Sequence, residues 1–234
     1  MVDYFSLISA LVSIIFLSIL LKQYINQRKK HQLIWVSALA MWLFTTLLLF
    51  LAEPEILGWN PLMYKAFYVF SAPLVALLGV GSLFLFTHKN WGKYFLIYSI
   101  IISAAMIILG LTSNIQEELL TSGPEIAGLA MPQYVRLISP FLTVPGGLLL
   151  IGGAIYSYWL DRTRHYNLLI FLGGLSPFLG GMRFRLADTT FFSFVDPQFF
   201  SILQLFGVIL LFLGFVLSVE YRKPHKKIRI NHNK

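Results

Sequence analysis

The sequence predicts an all-α polytopic membrane protein: a bundle of seven transmembrane helices with the N-terminus outside and the C-terminus in the cytoplasm. Three observations predict it. Apolar residues make up 57% of the 234 and charged residues only 12%, far from the composition of a water-soluble domain, where about a quarter of residues are charged. Apolar stretches of roughly 20 residues, the length a helix needs to cross ~30 Å of hydrocarbon, recur from end to end and leave no room for a separate soluble domain. Finally, the basic residues collect in alternate connections between those stretches.

The spans follow in order. The first runs from Tyr4 to Gln23, the second from Leu33 to Ala52, the third from Leu62 to Thr87 and the fourth from Tyr94 to Thr112. The fifth covers Ser139 to Leu160, the sixth Asn167 to Ala187 and the seventh Phe199 to Val219. Each is read as a helix, because a helix satisfies its own backbone hydrogen bonds in hydrocarbon and an open strand does not. The first is read as an uncleaved anchor. Met1-Val2-Asp3 carries no positive side chain and the basic cluster follows the apolar run, the reverse of a signal peptide. Residues 1–219 form the transmembrane domain and 220–234 a short basic cytoplasmic tail.

The connections are short except for residues 113–138, which hold Gly123, Pro124, Pro132 and three glutamates. Glu125 to Leu137 is mildly amphipathic, so this segment either lies along the membrane surface or forms an ordered loop outside it.

With the N-terminus outside, Lys65, Arg136, Arg183 and Arg185 face the exterior and the other fourteen of the eighteen Lys and Arg face the cytoplasm. The acids sort the other way, with only Asp161 and Glu220 inside. Retention of Lys and Arg on the cytoplasmic side then fixes both orientation and span count, in the plasma membrane of a prokaryote-like cell. The net charge of +8 meets anionic lipid at that face. Basic residues dispersed over several segments do not describe a nucleic-acid surface, so no nucleic acid partner is expected.

Absent residues exclude much chemistry. With no cysteine there are no disulfides, thiolate ligands or thiol nucleophiles. The five histidines all fall at or beyond the cytoplasmic span ends, and His31, His88 and His165 each neighbour a lysine or arginine that repels a cation. The last span has no lysine for a retinal Schiff base. No catalytic motif is recognisable at membrane depth. The sequence therefore predicts no cofactor, no metal centre and no enzyme.

Polar groups near the spans collect toward the outer side. Lys65 lies about a turn into the third span, and Arg183 and Arg185 are deep in the sixth. Charged groups so close to hydrocarbon mark a site unless they pair. One reading is an outward pocket in which Lys65, Arg183 and Arg185 bind an anionic or carbonyl-bearing ligand, with Tyr64, Tyr68 and Gln204 as neutral partners. The other is snorkelling side chains tied by salt bridges to Asp188 and Asp196. Residues two apart on a helix diverge, so only one of Arg183 and Arg185 is expected to face the bundle.

The fifth and sixth spans carry glycines at seven-residue spacing: Gly146 with Gly153, Gly173 with Gly180, and Gly174 with Gly181. Each pair forms a smooth stripe beside a proline, Pro145 or Pro177, which either packs tightly or acts as a hinge. Trp35, Trp59, Trp91 and Trp159 lie near span ends and read as interfacial belts, while Trp42 reads as core.

The stretch HQLIWVSALAMWLFTTLLLFLAE followed by YKAFYVFSAPLVALLGVGSLFLF, with Trp42, Glu53, Tyr68, Pro73 and Phe86, resembles the N-terminal seven-helix membrane sensor region of bacterial histidine kinases. The resemblance covers residues 28–87. It implies a ligand-sensing membrane module whose output is carried by a separate cytoplasmic or membrane partner protein, since no output module follows Val219. It supplies no binding residues. Pro132-Gln133 and Pro197-Gln198 also bring the seven-helix PQ-loop sugar transporters to mind, but both dipeptides fall in outer connections and no internal repeat accompanies them. The functional expectation is a small receptor-like or sensory module. The alternatives are a transporter or channel for a small solute and a structural subunit of a membrane complex.

Overall fold

A computed structural model describes residues 4–86, 90–122, 128, 130–186 and 197–221; of these, the side chains at 86, 121–122, 177, 180–186, 197–200 and 219–221 are not described. Among the described residues the chain forms α1 (Tyr4–Gln27), α2 (Lys30–Leu51), α3 (Pro61–Phe86), α4 (Trp91–Thr112), the single turn α5 (Gln133–Arg136), α6 (Ser139–Leu160), α7 (Tyr166–Leu186) and α8 (Pro197–Tyr221), with a 3₁₀ segment at Glu117–Ser122 and no strand.

Among the described residues, six helices are long and apolar enough to cross a membrane: α1, α2, α3, α4, α6 with the turn before it, and the 18-residue stretch Ser201–Ser218 of α8. This is one fewer than the seven expected. The difference lies in α7, whose described apolar part is Tyr166–Ser176. The helix itself runs on to Leu186 past Arg183 and Arg185.

The long helices begin and end where the sequence punctuates them. Arg28 takes a positive φ of 54°, reversing the chain between α1 and α2 in two residues. Gly58, also at positive φ, turns the connection into α3, which starts on Pro61, a residue suited to the first helical position. Asp161 receives the Thr163 N–H and the Arg164 Nε and closes the turn between α6 and α7.

Packing is circular. α1 packs on α2, α2 on α3, α3 on α6, α6 on α7, α7 on α8, and α8 returns to α1. α4 stands outside this ring against α3, with a lesser contact to α6. Only 17% of its apolar stretch is buried, against 67% for α3, which is flanked by three helices. α3 and α6 start at the same end, and their backbones meet where a Cβ on Gly79 would run into the Gly146 carbonyl oxygen. Between helices in lipid, where apolar burial drives little, such close approach supplies the dispersion energy of association.

Two cores result. One fills the ring axis with Phe16, Leu20, Leu39, Trp42, Leu74, Leu78, Leu150, Val208, Leu211 and Phe215. The other holds Tyr64, Tyr68, Met106 and Leu142 under Leu120, Ala130, Met131 and Val135 of the 113–138 connection. The described part of that connection is thus folded onto the ends of α3, α4 and α6, as an ordered loop with one helical turn. The Gly128 N–H donates to the Tyr64 hydroxyl at 2.7 Å, and the Gln116 N–H to the Ala130 carbonyl at 3.0 Å.

Candidate functional site

Five helices of the ring present stripes that change character at a common level. On α1, residues three or four apart line up as Ser6, Ser9, Ser13, Phe16 and Leu20, all buried. On α2 the stripe runs upward from Trp35 and Leu39 through Trp42 to Thr46. α8 gives Phe215, Leu211 and Val208, then Gln204 and Ser201. α6 gives Leu150, Gly146, Thr143 and Ser139, and α3 gives Leu78, Leu74 and Ser71. Around the axis these stripes are apolar at the level of Phe16, Leu39 and Leu211 and richer in hydroxyl groups toward the end of the bundle where α1 begins (the Tyr4 half); at the other end (the Gln27 half) Gln32, Ser82 and Ser157 are also buried.

The apolar level is well packed. Phe16, Trp35, Leu39, Leu78, Leu150, Ile170, Leu211 and Phe215, drawn from all six ring helices, surround a cavity of about 20 Å³. That is room for about one water molecule, and the apolar lining offers it no hydrogen-bond partner. Phe16 lies 5.4 Å from both Phe212 and Phe215, ring to ring. The Trp35 Nε1 donates to the Leu78 carbonyl at 3.2 Å, and its indole covers Gly81. Trp35 is therefore part of the axial core rather than an interfacial belt residue. Its polar atom is satisfied within the bundle, so it has no need to reach the headgroups. Trp91 and Trp159 stay on the outside, 63% and 71% exposed.

The polar level is largely self-satisfied. Ser13 Oγ donates to the Ser9 carbonyl at 2.8 Å, and Thr45 and Thr46 donate to the Trp42 carbonyl at 2.9 and 3.0 Å. Thr143 donates to the Ser139 carbonyl at 3.2 Å, while Ser6 Oγ lies 3.5 Å from Ser201 Oγ across α1 and α8. Two atoms stand apart. Trp42 Nε1 and Ser9 Oγ, on residues 1% and 0% exposed, have no hydrogen-bond partner. Glu53 lies buried just beyond the end of α2, its carbonyl accepting from Ile56, Leu57 and Gly58.

Of the residues expected to form an outward pocket, the four with described side chains are divided among separate surroundings. Lys65 Nζ turns away from the ring to the Leu111 carbonyl of α4, 3.1 Å away. Tyr64 and Tyr68 are buried in the second core beneath the 113–138 connection. Gln204 is half-buried on α8, across the ring from α3. Arg183 and Arg185 are on α7, but their side chains lie outside those described, as do those of Pro177, Gly180 and Gly181.

The described glycines of the α6 and α7 stripes face different neighbours. Gly146 lies on α3, where an added Cβ would meet the Ala76 Cα at 2.5 Å; Gly173 lies on α8 beside Gly207 and Leu211. Gly174 meets Leu150 of α6, Gly153 is half-buried, and Pro145 sits inside α6. Ser9, Ser13, Trp42 and Thr46 come together as a set only in the fold. The spacing of the α1 serines, on one face of an otherwise apolar helix, was the signal available.

His31 packs edge-on to Trp35 and His165 against Tyr158, and no cluster able to hold a metal ion occurs among the described residues; His88, His225 and His232 lie outside them.

No protein-family description matches this chain, and no curated protein or solved structure matches it. The fold and composition define its class, a multi-pass, all-helical membrane protein.

Proposed function

We propose that the chain is a small receptor-like module of the cell membrane that crosses it seven times, N-terminus outside, and binds a ligand without conducting it. α7 supplies the seventh crossing. At 21 residues it spans ~31 Å as a helix, and it completes the ring between α6 and α8. The orientation follows from the Lys and Arg at Lys22–Lys30 and Arg162–Arg164, which share the Gln27 end and would meet anionic lipid there.

One observation carries the choice of receptor over transporter. All six ring helices contribute apolar side chains to a packed level across the axis, around a cavity of about 20 Å³. Permeation pathways either place polar groups or broken helices at that depth or close it with an apolar constriction that wets on opening, so flux is what separates the two readings. A ligand bound in the polar half would then shift the packing of α6 and α7, and a separate partner protein would read the shift. The resemblance of residues 28–87 to kinase sensor regions belongs to the same reading.

The test is flux. Proteoliposomes containing the purified chain should pass small uncharged and anionic solutes no faster than empty ones. Saturable, protein-dependent uptake would replace this reading with the transporter.

A further inference from the structure

We infer that Tyr98 is a clasp through which α4, the long helix outside the ring, holds the bend of α6 and with it the packing at the ring axis. The inference goes beyond the receptor-like reading and does not depend on it, since the clasp acts on the axis whether the chain binds a solute or conducts one.

The clasp starts from a carbonyl that α6 cannot satisfy by itself. In an α-helix the carbonyl of residue 141 accepts from the N–H of residue 145. Here residue 145 is a proline inside α6, which has no N–H to give and bends the helix at that turn. In hydrocarbon no water takes the missing place, so the Phe141 carbonyl needs a donor from elsewhere in the protein. Tyr98, half-buried on α4, supplies it: its hydroxyl donates to the Phe141 carbonyl at 2.7 Å. The donor from α4 thus enters α6 at its bend.

The position of the bend gives this contact its reach. Gly146 and Gly147 follow the proline directly; the first seats on Ala76 of α3 and the second against the Phe178 ring of α7. About one turn further on, Leu150 lines the axial cavity together with Trp35 and Leu78. The angle at Pro145 therefore sets how α6 sits on both of its ring neighbours and where Leu150 stands. α4 itself fits α3 closely near its two ends, with Gly92 against the Phe84 ring and Gly110 against Val69. Between those points Tyr98 reaches across to α6. A helix that rests on α3 and grips the bend of α6 fixes the two relative to each other without entering the ring.

The experiment is a double-mutant cycle on the full chain in micelles, Tyr98→Phe against Pro145→Ala. It is read by unfolding and by the Trp35 indole N–H signal of ¹⁵N-tryptophan-labelled protein, identified by its loss in Trp35→Phe. That N–H is bonded to the Leu78 carbonyl at the cavity wall, so it reports on the axis. Tyr98→Phe removes the hydroxyl and keeps the ring. Pro145→Ala returns an N–H to position 145, so the Phe141 carbonyl no longer needs Tyr98. In the parent chain, Tyr98→Phe should lower the folding equilibrium constant about three- to tenfold, the scale of one hydrogen bond, and move the Trp35 signal. In the Pro145→Ala background it should change the constant less than about twofold and leave the signal in place, the non-additivity expected of coupled residues. Lys65→Met, which releases the far end of α4, should leave Trp35 unmoved. If Tyr98→Phe alone does not fold, adding Pro145→Ala should restore it. The inference is overturned if the two substitutions act additively, if Tyr98→Phe leaves the Trp35 signal where it is, if Lys65→Met shifts that signal as much, or if the double variant is not restored.

Discussion

The ammonium group of Lys65 donates to the Leu111 carbonyl at 3.1 Å, joining the first turn of α3 to the last turn of α4. Leu111 is one of the last residues of α4, whose terminal carbonyls lack intrahelical partners and carry the negative end of the helix dipole. A half-buried lysine of α3 is thereby placed over the C-terminus of its neighbour. This contact ties down the one long helix that lies outside the ring.

Lys65→Met should therefore act on stability and leave the ring axis untouched. The expected loss is ~0.5–1 kcal/mol, the scale of a cation at a partly exposed helix C-terminus. Unfolding in mixed micelles measures it. A loss of ligand binding with unchanged stability would return Lys65 to the site.

The α3–α6 crossing should tolerate no side chain. An added Cβ on Gly146 meets backbone atoms of Ala76 and Val75 at 2.5 to 2.7 Å, which cannot step aside. Gly146→Ala should cost ~1–3 kcal/mol, as overpacked interiors do. Gly152 on the same helix has nothing within 4 Å of such a Cβ, so Gly152→Ala should be neutral or stabilising by up to ~1 kcal/mol. The contrast between the two variants is the readout, and equal effects would contradict the packing.

The axial closure should be sensitive to truncation. Leu150 is 1% exposed and lines the cavity beside Phe16 and Leu211. Leu150→Ala should cost ~2–5 kcal/mol and enlarge the void enough to admit xenon, detectable by ¹²⁹Xe NMR. Insensitivity to the change would mean that the axis is not packed as described.

One carboxylate gives a pH signature outside the membrane helices. Asp161 is held below its usual pKa, first by the hydrogen bond from the Thr163 hydroxyl and then by the Thr163 N–H and Arg164. A folded-state pKa below the unfolded one adds stability that is present above the unfolded value of ~3.9 and is lost as pH falls through the folded value. Because the group is exposed the effect is small. The sharper readout is the carboxyl ¹³C titration, whose midpoint should rise toward the usual value in Thr163→Val.

Much of the helix plan was legible in the sequence, because run length against bilayer thickness is a strong constraint. The expected span Ser139 to Leu160 coincides with α6, and the others differ at their ends by a few residues. Neighbour relations were less legible. α4 is apolar all round, so hydrophobicity alone does not tell its lipid face from its packed face, and nothing in its composition places it outside the ring. Tyr64 and Lys65 are consecutive helical residues ~100° apart, and the first faces the covered core while the second reaches α4. Trp35 was read from its distance to a span end, which carries no information about the carbonyl its indole reaches.

The central claim is that the ring crosses the membrane with α7 as a full span, so the turn before α7 and the connection after it lie on opposite sides. A chain without cysteine allows this to be measured directly. Thr163→Cys and Thr190→Cys, introduced singly, are labelled in intact cells with a membrane-impermeant maleimide. The account predicts reaction at Thr190→Cys and protection of Thr163→Cys until the cells are opened. Labelling of both from the same side would contradict it.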